Sequence, residues 1–440
     1  MSLLAIVLCG AGLVATGFPA RAGSMPGLLF RATAAMALGI GVSSAWFATR
    51  LMASGRPPGR ADQAVLCAAG ATLWLFFRRK AASDPHPRDP APAWLWSLFA
   101  VACAIAAAAF VEHTLRFPDG GWDAWMIWNL RARFLVRGAD YRAAFSRDLL
   151  YMAHQDYPWL LPGVVAQGFS SAGEMPLVPG LVAALFGILA LAIVVSRLSA
   201  CEGTRWGILG GLALVAMPCF PIFASNQQAD VPVSVYLALA SALIAATSSR
   251  ELWLAGFAAG LGMWTKNEGS LYAAALLGAF LLRRRDPRGA MTFVLGALPF
   301  AALLLWFKVT LAPPNDLSAF STSASILGHA IDPRRWLELL LLVLRRIVYF
   351  QDFGLWLVAA AVATIVLARR RLLTLPALAL LFAFAAFGPI YVLQPHHLDW
   401  LFRTSADRLL VQMWPAALVA SIPALRSYAS PSIESASAKG

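Results

Sequence analysis

Residues 117–162 read FPDGGWDAWMIWNLRARFLVRGADYRAAFSRDLLYMAHQDYPWLLP, the one long polar interruption in an otherwise apolar chain. Two acids, Asp119 and Asp123, follow directly on an apolar run. A Trp- and Arg-rich segment comes next, and His154 and Asp156 appear where the chain turns apolar again. Acids at a membrane boundary are costly and need a partner or a task. The stretch is therefore expected to form one wall of a site at a membrane surface.

Composition supports a membrane setting. Of 440 residues, 60% are hydrophobic and 13% charged, against roughly a quarter charged in soluble domains. Mean hydropathy is +0.68, and apolar runs long enough for spanning helices recur along the whole length. The formal charge of +13 sits mostly in short clusters at helix ends: Arg78, Arg79 and Lys80; Arg283, Arg284, Arg285 and Arg288; Arg369, Arg370 and Arg371. Such placement orients helices, cytoplasmic side positive, and speaks against nucleic acid as a partner. The cysteines, Cys9, Cys67, Cys103, Cys201 and Cys219, are scattered without a CxxC pair, which predicts neither a disulfide framework nor a zinc site.

The expected fold is an all-α integral membrane protein of about 13 transmembrane helices with an extended outer loop carrying interfacial helices. Residues 1–92 form extra N-terminal helices, the first retained because no basic segment precedes it. The core runs from 93 to 426, with outer loops at 113–175 and 312–352, and 427–440 is a cytoplasmic tail. Apolar segments near 354–368, 373–393 and 409–425 supply the last crossings, while 337–349, interrupted by Arg345 and Arg346, is expected in the interface. With the basic clusters inside, 113–175, 226–230, 266–268, 312–335 and 394–408 all fall outside. The residues capable of chemistry then share one face.

Each candidate has a plain alternative. Asp123 precedes a helical run, so capping and catalysis explain it equally. Asp119, in PDGG, is better explained as a turn residue. Trp125, Trp128, Ala132 and Leu135 make an apolar stripe opposite Asn129, Arg133 and Arg137, as in a helix lying in the interface. His154 and Asp156 would share a face only in extended chain, and two ligands make a weak case for a divalent metal. Lys266 and Glu268 suit either a solvated helix end or a site, their charges neutralising one another. Late in the chain His396, His397, Asp399, Arg403, Asp407 and Arg408 cluster. Cations converging there suit an anionic phosphate better than a basic belt.

The order of these features resembles the C-type (GT-C) membrane glycosyltransferases that use polyprenyl-phosphate sugars, in particular the branch of lipid A aminoarabinose transferases and protein O-mannosyltransferases. The acid of the first outer loop would be Asp123 or Asp119. Gly138-Ala-Asp-Tyr141 and His154-Gln-Asp-Tyr-Pro158 stand where that branch has Gly-Asp-Trp and Pro-Pro-Leu-Tyr elements. Gly173-Glu-Met-Pro176 with Arg197-Leu198 is similar to the next helix, and Ala229-Asp230-Val-Pro232 to Thr-Asp-Ala-Pro. Gly260-Leu-Gly-Met-Trp-Thr-Lys266 is similar to Gly-Leu-Ala-x-Leu-Thr-Lys, and Arg408-Leu-Leu with Trp414-Pro415 to the terminal element. The likeness covers about 93–420 and lies in the ordered set, not in any one element. Two departures stand out: the first acids are spaced Asp-x-x-x-Asp instead of adjacent, and Lys-Gly-Pro is replaced by Lys266-Asn267-Glu268.

The resemblance implies sugar transfer from a polyprenyl-phosphate donor to a glycan, lipid or protein hydroxyl, with inversion, at the periplasmic face of a bacterial inner membrane. It makes Asp123 the expected base, Lys266, Arg403 and Arg408 the phosphate contacts, and Asp156 or Asp230 contacts to sugar or acceptor; His154, Glu268 and His396 are further binding candidates. No cofactor is implied with certainty; a divalent metal is open, with His154 and Asp156 as candidate ligands. An O-antigen ligase or polymerase, with its arginines and histidine in a late loop, and a lipid-linked sugar transporter are the competing expectations.

Overall fold

A computed structural model of the chain describes residues 3–17, 24–77, 89–137, 141–146, 148–149, 154–217, 219–246, 248–315, 317, 319, 321–348 and 374–429. Their regular structure is all helical, with no strand among the described residues. The basic clusters at 78–80 and 369–371, the expected span near 354–368 and residues 138–140 of the Gly-Ala-Asp-Tyr element lie outside them.

Among the described residues, five helices are long and apolar enough to cross a membrane: α2 (Met25–Ser54), α4 (Ala93–Arg116), α7 (Leu177–Glu202), α13 (Pro287–Thr310) and α16 (Leu375–Leu393). A sixth results if α8 (Thr204–Val215) and α9 (Cys219–Ser225) form one bent span. About 13 crossings were expected. The difference comes partly from short elements: α1 (Leu3–Gly17) has 15 residues, as does α10 (Asp230–Ile244), whereas a full crossing takes about 20.

The short helix α10 is the centre of the fold. All of its residues are buried, as expected of a helix that is apolar all round. It packs against α7, α11 (Ser249–Thr265) and α17 (Leu398–Ala429). Its first residue is Asp230. The structure thus carries a carboxylate at the end of its most enclosed element. Pro232 is accommodated in the first turn, where backbone N–H groups have no intrahelical partner.

Between α11 and α12 (Asn267–Arg284), Lys266 is the single extended residue, with φ −157° and ψ 152°. The helices fold sharply about it. A Cβ on Gly269 would stand 2.1 Å from the Gly262 carbonyl oxygen, so the turn closes only because Gly269 lacks one.

The expected interfacial helix after Asp123 takes a different form. A π-turn at Ala124–Trp128 leads into α5 (Asn129–Arg137). The extra residue of a π-turn shifts the phase of the stripe. Trp128, Ala132 and Leu135 are therefore buried, Trp125 is 45% exposed, and Asn129, placed on the polar side by the sequence, is buried as well. The stripe packs against the protein, on α6 (Leu160–Ala172), instead of facing lipid.

The late segment also differs from expectation. The last helix begins at Leu398, not near 409, so Asp399, Arg403, Asp407 and Arg408 are helical residues and not loop residues. The stretch expected in the interface is α15 (Pro333–Val348), preceded by α14 (Ser323–Ile331). Leu337, Leu340, Leu341 and Leu344 of α15 are exposed, in keeping with an interfacial position.

Candidate functional site

The site is built around Asp230. Its Oδ1 accepts from Lys266 Nζ at 2.8 Å and from Gln412 Nε2 at 2.6 Å, and its Oδ2 accepts from Arg408 Nε at 3.1 Å. Asp230 is wholly buried and Lys266 is 2% exposed. Removing two charges from water is unfavourable unless geometry and further hydrogen bonds compensate, and here both are present. The α10 N-terminus adds a positive end to the same carboxylate.

From this centre the network runs outward through Arg408. Its Nη1 lies 2.6 Å from Asp123 Oδ2. Asp123 makes no side-chain bond to the helix it precedes, so capping does not account for it. The other branch runs through Lys266, whose Nζ lies 3.0 Å from Glu268 Oε1. Glu268 Oε2 and Gln412 Oε1 are buried and have no hydrogen-bond partner among the described residues.

A second cluster forms on the loop entering α6. His154 has φ 43°, and Tyr157 N–H donates to the His154 carbonyl at 3.0 Å. The segment is thus a turn, not the extended chain that would set His154 and Asp156 on one face. Asp156 Oδ2 accepts from Asn267 Nδ2 at 2.9 Å and from Lys308 Nζ at 3.2 Å. The His154 ring stacks on Tyr157 at 5.0 Å, and Trp128 stacks on Tyr157 at 5.5 Å. Burial is the largest influence on the Tyr157 phenol, which it pushes well above 10.0; Glu268, Asp156 and Asp123 act in the same sense and Arg408 against them.

Arg131 holds this turn from beneath. Its guanidinium donates to the Tyr157 carbonyl at 2.8 Å and to that of His154, with the Trp128 and Phe145 rings 5.6 and 5.9 Å away. Burial pulls the guanidinium down to about 10, against the pull of Asp156 and Tyr157. It remains a cation at neutral pH.

Other expected residues stand aside from Asp230. Asp119 occupies the turn closed by Gly120 N–H to the Phe117 carbonyl at 2.9 Å, and its carboxylate pairs with Arg133 at 3.2 Å. The turn needs Gly120, whose φ is +79°. Arg403 is 71% exposed and pairs with Asp399 along its own helix at 3.0 Å; five residues from Arg408, it projects about 140° away around the axis. The His396 carbonyl receives Arg335 at 3.4 Å, and its ring lies 5.5 Å from Trp400. No group of three or more His, Cys, Asp or Glu among the described residues is placed to hold a metal ion.

Lys308, Gln412, Arg131 and Asn267 were not expected as site residues. Lys308 lies in the last turn of the apolar α13, where a lysine reads as a helix-end charge. Gln412 is a buried amide inside an apolar helix, a signal that was available in the sequence, since such groups are rarely without a partner. Protein-family models, curated proteins and solved structures give no match to this chain, so the reading of the site stands on its own residues.

Proposed function

We propose that the chain is a membrane glycosyltransferase that moves a sugar from a polyprenyl-phosphate donor to an acceptor hydroxyl. The observation that carries this reading is the continuous line Asp123–Arg408–Asp230–Lys266, in which an acid of the first polar stretch is joined through Arg408 of α17 and Asp230 of α10 to the lysine between α11 and α12. The same residues stand in four of the elements on which the resemblance to GT-C enzymes rests. In this reading the shorter helices complete a bundle of about 13 crossings, and the site opens to the periplasmic side of a bacterial inner membrane.

The chemistry follows from the groups present. The acceptor oxygen attacks the anomeric carbon and a C–O bond forms as its proton passes to the Asp123 carboxylate. The bond from that carbon to the phosphate oxygen breaks, and the electron pair leaves on the lipid phosphate. Arg408 and Lys266 stabilise that developing charge. A single displacement inverts the anomeric centre. The unpartnered acceptors Glu268 Oε2 and Gln412 Oε1 suit sugar hydroxyls, which are donors.

The test is transfer from a radiolabelled polyprenyl-phosphate sugar by the purified protein in lipid, wild type against Asp123→Asn. Turnover in wild type and its loss in the variant, with donor still bound, supports the assignment. Equal turnover in both moves the base elsewhere. Donor binding with no turnover in wild type points to transport instead.

A further inference from the structure

Among the described residues, the lysines of the cluster and Arg408 are each paired with a carboxylate. Lys266 faces Asp230 and Glu268, Lys308 faces Asp156, and Arg408 faces Asp123 and Asp230. An entering phosphate therefore meets cations already paired with carboxylates, and one of those carboxylates must give way.

The carboxylates are not equally able to do so. Asp230 is enclosed and takes hydrogen bonds from three side chains. Asp156 is 4% exposed and is held by Asn267 and Lys308. Asp123 is different: its side chain is 18% exposed, it caps no helix end, and among the described residues its ion-pair partner is Arg408. It also stands beside a π-turn, an irregularity that recurs at functional sites. Arg408 for its part is anchored on the inner side by Asp230 through Nε, leaving Nη1 as the arm that Asp123 occupies.

We propose that Asp123 and the donor phosphate compete for this arm of Arg408, which makes Arg408 a positioning residue that releases the base only when the donor is bound. In the empty site the lone pair of Asp123 Oδ2 is committed to the guanidinium. When a phosphate oxygen takes Nη1, the carboxylate is freed beside the anomeric carbon and can accept the acceptor's proton. Acceptor entering first meets an engaged base, so the order is donor, then acceptor. The inference rests on the transferase reading for the identity of the anion, but the exchange itself is testable apart from it.

The experiment is titration of a polyprenyl phosphate into the purified protein in nanodiscs, for wild type, Asp123→Asn, Asp123→Glu and Glu112→Gln. Glu112 is an exposed acid that pairs with Arg116, so its variant reports the general effect of removing one surface charge. Competition predicts binding about tenfold tighter in Asp123→Asn, the scale of one partly buried ion pair. Asp123→Glu, which keeps the competitor, and Glu112→Gln should stay within about twofold of wild type. Equal or weaker binding in Asp123→Asn, with unfolding temperature unchanged, overturns the exchange. Should that variant not fold, Asp123→Glu decides: kinetics with donor and acceptor binding in random order overturn it, strictly donor-first kinetics support it. If wild type binds no polyprenyl phosphate, the transferase reading fails, and inorganic phosphate titrated into the same proteins takes its place. Tighter phosphate binding in Asp123→Asn then upholds the exchange, and equal binding overturns it.

Discussion

Lys266 Nζ and Asp230 Oδ1 meet 2.8 Å apart inside the protein, the lysine side chain 2% exposed and the aspartate fully enclosed. A pair so placed adds little over an apolar pair of the same shape, but breaking it leaves a buried charge short of partners: without Asp230, Lys266 keeps, among the described residues, only the Glu268 carboxylate at 3.0 Å. Asp230→Ala is expected to destabilise the protein by about 3–5 kcal/mol. Adding Lys266→Met to that variant should recover only part of the loss, since the under-paired ammonium is then gone but Glu268 loses its cation; Arg408 keeps Asp123. The measurement is thermal unfolding in lipid of both variants and of Lys266→Met alone. Simple additivity of the two changes would show that the pair is not coupled.

The turn that presents Lys266 makes its own prediction. Gly269→Ala puts a methyl 2.1 Å from the Gly262 carbonyl oxygen, which is backbone and cannot rotate aside. The α11–α12 turn must open, at a cost of about 1–3 kcal/mol, typical of overpacking. Donor affinity should fall with stability, because the same opening moves Lys266. A variant as stable as wild type, with affinity unchanged, would show that the turn is not held by that contact.

The Tyr157 phenol gives a pH dependence. Burial raises it well above 10.0 in the folded protein, while the unfolded chain titrates near 10. Between those values the folded state holds a proton that the unfolded state has released, so stability falls as pH rises. The contribution is complete below about pH 10 and is lost above it. Tyr157→Phe should remove this slope, leaving the variant less sensitive than wild type to pH above about 10. The paired ultraviolet difference spectrum should show no tyrosinate from Tyr157 before unfolding begins.

How much of this was legible in the sequence varies with the kind of signal. Apolar runs and polar breaks gave the helical class and the convergence of 113–175, 226–230 and 266–268, because each break is a local event. Asp123, Asp156, Asp230, Lys266, Glu268 and Arg408 were accordingly all singled out. The partners were not, since pairing joins residues up to 285 positions apart (408 − 123) and no periodicity encodes it. Trp125 was assigned to the wrong face because a π-turn changes phase without any residue type that announces it, and Asn129 because the groups it donates to where it is buried, the Asp119 carbonyl and Gln227 Oε1, are not encoded by helical period. Arg403 and Arg408 read alike in the sequence, and helical phase, visible only once α17 is known to begin at Leu398, separates them.

Arg131 supports the last prediction. Its two donors reach the carbonyls of His154 and Tyr157 at once, spanning a turn whose first residue sits at φ 43°. That conformation is unfavourable for a side chain such as histidine and persists only where surroundings hold it. Lysine keeps the charge but is a single point and not a fork, so Arg131→Lys releases at least one carbonyl, a loss of about 1–3 kcal/mol for a hydrogen bond to a charged group. The effect should be local. The Tyr157 amide, which donates to the His154 carbonyl, should exchange with solvent at least about tenfold faster, while amides in the middle of α10 exchange as in wild type. Asp156 rides on the same turn, so its contacts to Asn267 and Lys308 should loosen in step. Equal slowing or quickening of exchange across both regions would make Arg131 an ordinary core residue, and an unchanged Tyr157 amide would mean that the stacking of Trp128 and His154 holds the turn without it.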